Sequence, residues 1–155
     1  MAINVRRAMG ADAERVASLS RDFAEYLRKL GDTTDFQFTP ETYRRDGFGV
    51  NPAFFGLVAE TNAEIVGYLL YHFGYDVDLA ARTLHIVDLY VSEESRRQGV
   101  GKSLMAFAQR VCRDVGAKEI LWSVYKSNQP AYGFYARLGG EMVDDQDFMY
   151  LAVEP

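Results

Sequence analysis

The segment Arg96-Arg97-Gln98-Gly99-Val100-Gly101-Lys102-Ser103 lies between a strongly apolar run and a long amphipathic one. A glycine-rich turn feeding a helix presents free backbone N–H groups at the positive helix end, a cradle suited to phosphate or pyrophosphate. Glycines at 99 and 101 let the main chain approach a ligand with no Cβ in the way. Arg96, Arg97 and Lys102 would offset phosphate charge. Two nucleotide motifs fail here. A Walker loop needs glycine at position 96, which is Arg, and a dinucleotide fingerprint needs glycine at position 104, which is Leu. What remains is the pattern Arg-x-x-Gly-x-Gly at Arg96, Gly99 and Gly101.

Few other side chains fit nucleophilic or metal chemistry. No Ser-His-Asp or Cys-His arrangement is evident, and Cys112 falls on the apolar face of the long helix. One cysteine and two histidines, His72 and His85, exclude a cysteine zinc site and argue against a histidine metal centre. No metal is expected. Three groups can accept a proton through water: Asp88, Asp76 and His85. Each reads equally as a sheet-edge residue with satisfied hydrogen bonds, His85 most of all.

The elements that position these groups follow from periodicity. Residues 2–6 predict a short first strand. Val16, Leu19, Phe23, Tyr26, Leu27 and Leu30 recur at three- and four-residue steps, a helix from Asp12 to Leu30. Thr39-Pro40-Glu41 opens a second helix that ends near Gly47. Phe54–Glu60 and Ile65–Tyr75 are β-rich runs joined by Thr61-Asn62-Ala63-Glu64, a hairpin, and Thr83–Val91 is a third strong strand. A helix from Gly101 to Val115 ends at Gly116. Then come a strand over Glu119–Val124, a short helix over Pro130–Leu138, and a closing hairpin from Glu141–Val143 and Asp147–Val153. That order predicts one α/β domain over 1–155, with a central mixed, mostly antiparallel sheet flanked by helices on both faces.

Composition agrees with a single folded unit. Of 155 residues, 48% are hydrophobic and 25% charged. That balance rules out disorder as the main state. A net charge of −5 repels a phosphate backbone on average, so no nucleic-acid partner is expected. The longest apolar runs are too short to cross a bilayer, and the first residues lack the apolar stretch of a signal peptide, so a cytoplasmic protein without a membrane partner is expected.

The Arg96, Gly99, Gly101 loop after Leu84–Val91 resembles that of the GNAT superfamily of N-acetyltransferases, where it binds the pyrophosphate of acetyl-CoA. The loop from Arg96 through Val100 to Lys102 would then hold the cofactor. Ser127-Asn128-Gln129-Pro130-Ala131-Tyr132-Gly133-Phe134-Tyr135 to Gly140 resembles the family's second CoA motif. By that resemblance Asn128 steadies the pantetheine arm, and Tyr135 lies near the thioester sulfur and protonates the leaving thiolate. Taken by itself, Tyr135 also reads as a core aromatic sharing a helix face with Tyr132. Backbone N–H groups around Leu89-Tyr90-Val91 would polarise the thioester carbonyl if that strand bulges as it does in the family. Direct attack by the amine is the simplest chemistry, with Asp88 the leading candidate base.

Further likeness, in Asp46–Pro52, Leu57–Glu60, Ile65–Tyr68 and Tyr75-Asp76, is to the diamine acetyltransferase group that acts on spermidine, spermine or thialysine. It implies a homodimer and an amine site drawing on Asp76, Asp78 and Asp88. Two acidic positions of the polyamine enzymes are Leu27 and Val87 here, which disfavours spermine and favours a short diamine or lysine-like amine. The resemblance thus implies an acetyl-CoA-dependent N-acetyltransferase of a small primary amine. A CoA-binding sensor without turnover and an acetyltransferase of protein amines remain open alternatives.

Overall fold

The computed structural model describes residues 1–155. They group into two compact units, 1–123 and 124–155. The first holds β1 (Asn4–Arg7), α1 (Ala13–Lys29), α2 (Pro40–Phe48), β2 (Phe55–Thr61), β3 (Glu64–Asp76), β4 (Ala81–Val91), α3 (Val100–Val115) and β5 (Ala117–Leu121). The second holds α4 (Gln129–Arg137). The strands form one sheet in the order β1-β2-β3-β4-β5, antiparallel except for the β4–β5 pair.

Alternation along the strands gives the sheet two apolar faces, and each is covered. Val58, Tyr68, Leu70 and Tyr90 pack against Ala13, Val16 and Leu19 of α1 and Tyr43 of α2. The opposite face, with Leu57, Leu69 and Leu84 buried, is covered by α3 through Leu104, Ala108 and Val111. Removing this apolar surface from water contributes about 1.5–3 kcal/mol per fully buried large side chain, and helps offset the ordering entropy.

Polar contacts fix the entries to these elements. The Arg6 guanidinium on β1 donates to both carboxylate oxygens of Asp12, at 2.8 and 2.9 Å, and also to Glu60 on β2. One residue therefore ties the first strand to the start of α1 and to its sheet neighbour. At α2, the Thr42 N–H donates to Thr39 Oγ1 at 3.2 Å and the Thr39 N–H donates to Thr42 Oγ1 at 2.8 Å. This is a reciprocal cap that satisfies two N–H groups at once.

The predicted strand and helix order holds through α4. The predicted closing hairpin does not form: Glu141–Val143 and Asp147–Val153 carry no strand. Phe148, Met149, Tyr150 and Leu151 are each at least 90% exposed, so no apolar face holds that segment. Two strands alone are marginal in water without such a face.

The β2–β3 turn is tight, with Asn62 at φ 52° and Ala63 at φ 64°. Left-handed backbone costs an alanine roughly 1–2 kcal/mol, part of which glycine returns as lost chain entropy. Ala63→Gly should raise the unfolding free energy by about 0.5–1 kcal/mol, read as a higher urea midpoint at constant slope.

Candidate active site

Strand β4 changes phase in its middle. It pairs with β3 as Leu70 with Asp88, Tyr71 with Ile86 and His72 with His85, which leaves Val87 unopposed. Leu70 and His72 share a face of β3 by the period of two, so Asp88 and His85 share the corresponding face of β4 despite being three residues apart. That is the face of Tyr68 and Tyr90, covered by α1 and α2. The irregularity expected around Leu89-Tyr90-Val91 is absent there. Those residues pair continuously with Leu69, Tyr68 and Gly67, and the strand bulges at exposed Val87 instead.

The other edge of β4 opens in the same stretch. Parallel β5 pairs with β4 only from Arg82 to His85 and leaves it beyond that point. From Ile86 to Val91 the edge facing β5 has no strand neighbour. Main-chain N–H groups alternate along the strand: that of Tyr90 points to β3, as that of Ser92 does in donating to the Val66 carbonyl, and those of Leu89 and Val91 point to the open edge.

Asp88 lies in this stretch. Its residue is partly exposed, yet the carboxyl is desolvated, and burial pushes it up to about 6 against an opposing pull from the Tyr68 hydroxyl. Tyr68 donates to Asp88 Oδ2 at 2.7 Å, and Ser20 of α1 donates to the Tyr68 oxygen at 2.9 Å. Tyr68 and Ser20 were invisible to motif reading. The usable signal was chemical: a carboxylate inside the apolar run Leu84–Val91 needs a donor, and Tyr68 is the polar group on the facing strand.

Further along the same face, His85 Nε2 is 2.9 Å from Thr83 Oγ1, and its ring stacks on that of His72 with centroids 5.1 Å apart and planes 9° apart. Gly74 on β3 makes room for this pair, because a Cβ there would lie 2.6 Å from His85 Nε2. Burial and the neighbouring His72 lower the His85 pKa below the usual imidazole range. That makes His85 a weaker base than Asp88 is an available one.

The remaining sequence candidates fall in different places. Asp76 accepts the Leu79 N–H at 2.8 Å and closes the β3–β4 turn, and Asp78 is exposed at its tip. Asp76 pairs with Ala81, six residues along β3 from the Leu70–Asp88 pair. Six residues of extended strand span roughly 20 Å. The structure therefore does not bring Asp76 and Asp88 together.

The glycine loop opens α3 as expected. Gly99 is its N-cap in left-handed backbone, φ 90°, and the Ser103 N–H takes up the Gly99 carbonyl at 2.9 Å. The N–H groups of Val100, Gly101 and Lys102 then begin the helix without intrahelical acceptors. A Cβ on Gly99 would approach only Ile3, at 3.8 Å. This arrangement fits a pyrophosphate. Arg97 and Lys102 are exposed beside it. Arg96 is not. Its guanidinium lies 5.2 Å from the Tyr26 ring centre and 5.3 Å from that of Tyr90, within reach of a cation–π attraction. Its Nε donates to the Val91 carbonyl at 3.1 Å.

In the second unit, buried Asn128 caps α4 by accepting the Ala131 N–H at 3.3 Å. Tyr135 is partly buried in the last turn of α4, edge-on to Phe134 at 5.1 Å.

Residues 16–140, which include Asp88, the glycine loop and α4, match the acetyltransferase (GNAT) family. The chain belongs to the GNAT acetyltransferases. It is 32% identical over 147 residues to the thialysine N-epsilon-acetyltransferase of Bos taurus, covering 90% of this chain and 84% of the relative. The corresponding protein of Sus scrofa is 34% identical over 143 residues, covering 87% and 82%. Among solved structures, an integron cassette protein of V. cholerae superposes with a TM-score of 0.82 at 16% identity, over 99% of this chain and 94% of that one, a likeness of fold. Within this GNAT chain no helix is long and apolar enough to cross a membrane.

His85, whose pKa is lowered by burial and by the adjacent His72, gives the acetyltransferase a pH-dependent stability. A base whose folded pKa is depressed stabilises the fold fully above its unfolded pKa of about 6.5, and that stability is lost as pH falls through the lower folded value. Asp88, an acid with a raised pKa, acts in the opposite sense. His72→Gln should therefore lose less stability between about pH 7.5 and 5.5 than wild type does, by a few tenths of a kcal/mol after solvent screening. Paired urea titrations of both proteins at both pH values measure that difference.

Proposed function

We propose that this acetyltransferase modifies the primary amine of a short diamine or lysine-like amino acid, with Asp88 as the proton acceptor. The GNAT fold transfers an acetyl group from acetyl-CoA, and the thialysine relatives support a small acceptor. The observation that carries the reading is the desolvated Asp88 carboxyl, held near pH 6 where β4 leaves β5. A carboxylate with that pKa is ionised at neutral pH yet basic enough to take a proton, through water, from an ammonium.

The other roles follow residue by residue. The N–H groups of Val100, Gly101 and Lys102 at the start of α3, with the charges of Arg97 and Lys102, hold the pyrophosphate of acetyl-CoA. Arg96 stabilises that loop from its seat between Tyr26 and Tyr90. Main-chain N–H groups among Leu89, Tyr90 and Val91 polarise the thioester carbonyl, and Asn128 supports the pantetheine arm. The neutral amine would attack the carbonyl, forming the C–N bond as the C–S bond breaks; the Tyr135 hydroxyl would give its proton to the departing thiolate, and the proton shed by the nitrogen, passed through water, would restore the phenol. Asp76 and Asp78 contribute negative field at the hairpin end that draws cationic amines in. The reading includes no metal and no nucleic acid, and it takes residues 1–155 as one cytoplasmic acetyltransferase domain working as a homodimer.

Thiol release from acetyl-CoA tests it, with thialysine, lysine, short diamines, spermidine, spermine and a basic peptide as acceptors. Release dependent on thialysine or a short diamine is expected. Release only with the peptide would replace the acceptor class, and acetyl-CoA binding with no release from any amine would point to a sensor. Tyr135→Phe should lower kcat about a hundredfold or more while calorimetric acetyl-CoA affinity holds. Gly99→Leu, which forces a branched side chain into left-handed backbone, should weaken acetyl-CoA binding about tenfold.

A further inference from the structure

The chain of hydrogen bonds behind Asp88 runs one way. Ser20 Oγ donates to the Tyr68 oxygen at 2.9 Å, and the Tyr68 hydroxyl donates to Asp88 Oδ2 at 2.7 Å. Both relay groups are buried, and Tyr68 is fully so. Burial first, then the neighbouring Asp88 charge, suppresses ionisation of the Tyr68 phenol, so it remains a donor at every working pH. Ser20 sits within the apolar stripe of α1, beside Val16 and Leu19. A helical serine hydroxyl there would ordinarily turn back to its own helix backbone. Here it reaches the sheet instead.

We infer that Ser20 and Tyr68 are positioning residues for proton acceptance: they occupy Oδ2 of Asp88, hold the carboxylate ionised despite burial, and leave Oδ1 to receive the amine proton. The inference rests on the reading of Asp88 as the base. Its physical content is a competition. Desolvation favours the neutral carboxyl, and a donated hydrogen bond favours the anion. Without the phenol, a larger share of the buried acid would stay protonated at neutral pH and be unable to accept. The surrounding groups leave this competition to Tyr68. β3 offers Leu70 and Tyr68, α1 offers Ser20 and Phe23, and β4 itself offers His85 and Tyr90 on the same face, with Arg96 lying over the Tyr90 ring.

The test is the Asp88 titration in the full chain labelled with carbon-13 aspartate, with the signal assigned by its loss in Asp88→Asn. Wild type should titrate near 6. Tyr68→Phe keeps the ring and removes the donor; it should move the midpoint up by about one pH unit, a tenfold change in proton affinity. Ser20→Ala should move it the same way by less, and it carries the test alone if Tyr68→Phe does not fold. An unchanged or lowered midpoint overturns the inference. In parallel, thiol release with thialysine as acceptor, followed from about pH 5 to 9, should show the acid limb of kcat/KM moving upward with the midpoint and activity recovering at high pH. If Asp88→Asn keeps the acid limb and turnover, the base assignment fails whatever the titration shows. If Asp88→Asn abolishes turnover while Tyr68→Phe moves neither midpoint nor limb, the base stands and the positioning role fails.

Discussion

Strand β4 has to satisfy two cores and an open edge within eleven residues, and the unopposed residue Val87 is what allows it. Before the bulge, Leu84 and Ile86 face α3 while His85 and Thr83 face the other layer. After it, Asp88 and Tyr90 take up the side of α1 and α2. A regular strand would turn Asp88 to the face of Leu84 and Ile86, against the apolar stripe of α3, where an unpaired carboxylate costs several kcal/mol or protonates. With the extra residue, Asp88 meets the Tyr68 hydroxyl instead. The identity of the polar face therefore depends on one backbone irregularity, and Tyr90, Arg96 and the loop beyond inherit its phase.

The electrostatics around Asp88 are a balance of moderate effects. Full burial of an isolated carboxylate would leave it neutral at all physiological pH values, and full exposure would return it to the ordinary range near 3.9. One phenol donor and partial desolvation leave it between these limits. Ser20 adjusts the donor from one helix away. The arrangement links α1 to a carboxylate on the sheet through two hydrogen bonds, so a change in helix placement would alter the Asp88 proton affinity without touching the carboxylate.

How much of this was legible in the sequence depends on whether the signal was local. Helices α1 and α3 were readable from three- and four-residue spacing, because the apolar stripe is set by the period alone. The cap of α2 was readable from Thr39-Pro40-Glu41, and the loop before α3 from its glycines. The bulge at Val87 was not, since Leu84-His85-Ile86-Val87-Asp88 reads as an uninterrupted strand, and only the partner register shows the extra residue. Arg96 was read as a phosphate contact from its place in the motif; the structure seats it between Tyr26 and Tyr90, rings seventy and six residues away in sequence. The partnership of Tyr68 with Asp88 spans twenty positions and leaves no motif.

The exposed tail has a colloidal consequence. Phe148-Met149-Tyr150-Leu151-Ala152-Val153 is uncharged, rich in residues that favour strands, and free of proline. That is the composition of a segment prone to stack on its own copies. Asp144, Asp145 and Asp147 precede it and Glu154 follows. Like charges at both ends keep identical segments apart, the role of gatekeepers around an unavoidable sticky stretch. The acidic residues on either side of the tail thus work against the adhesion its composition favours.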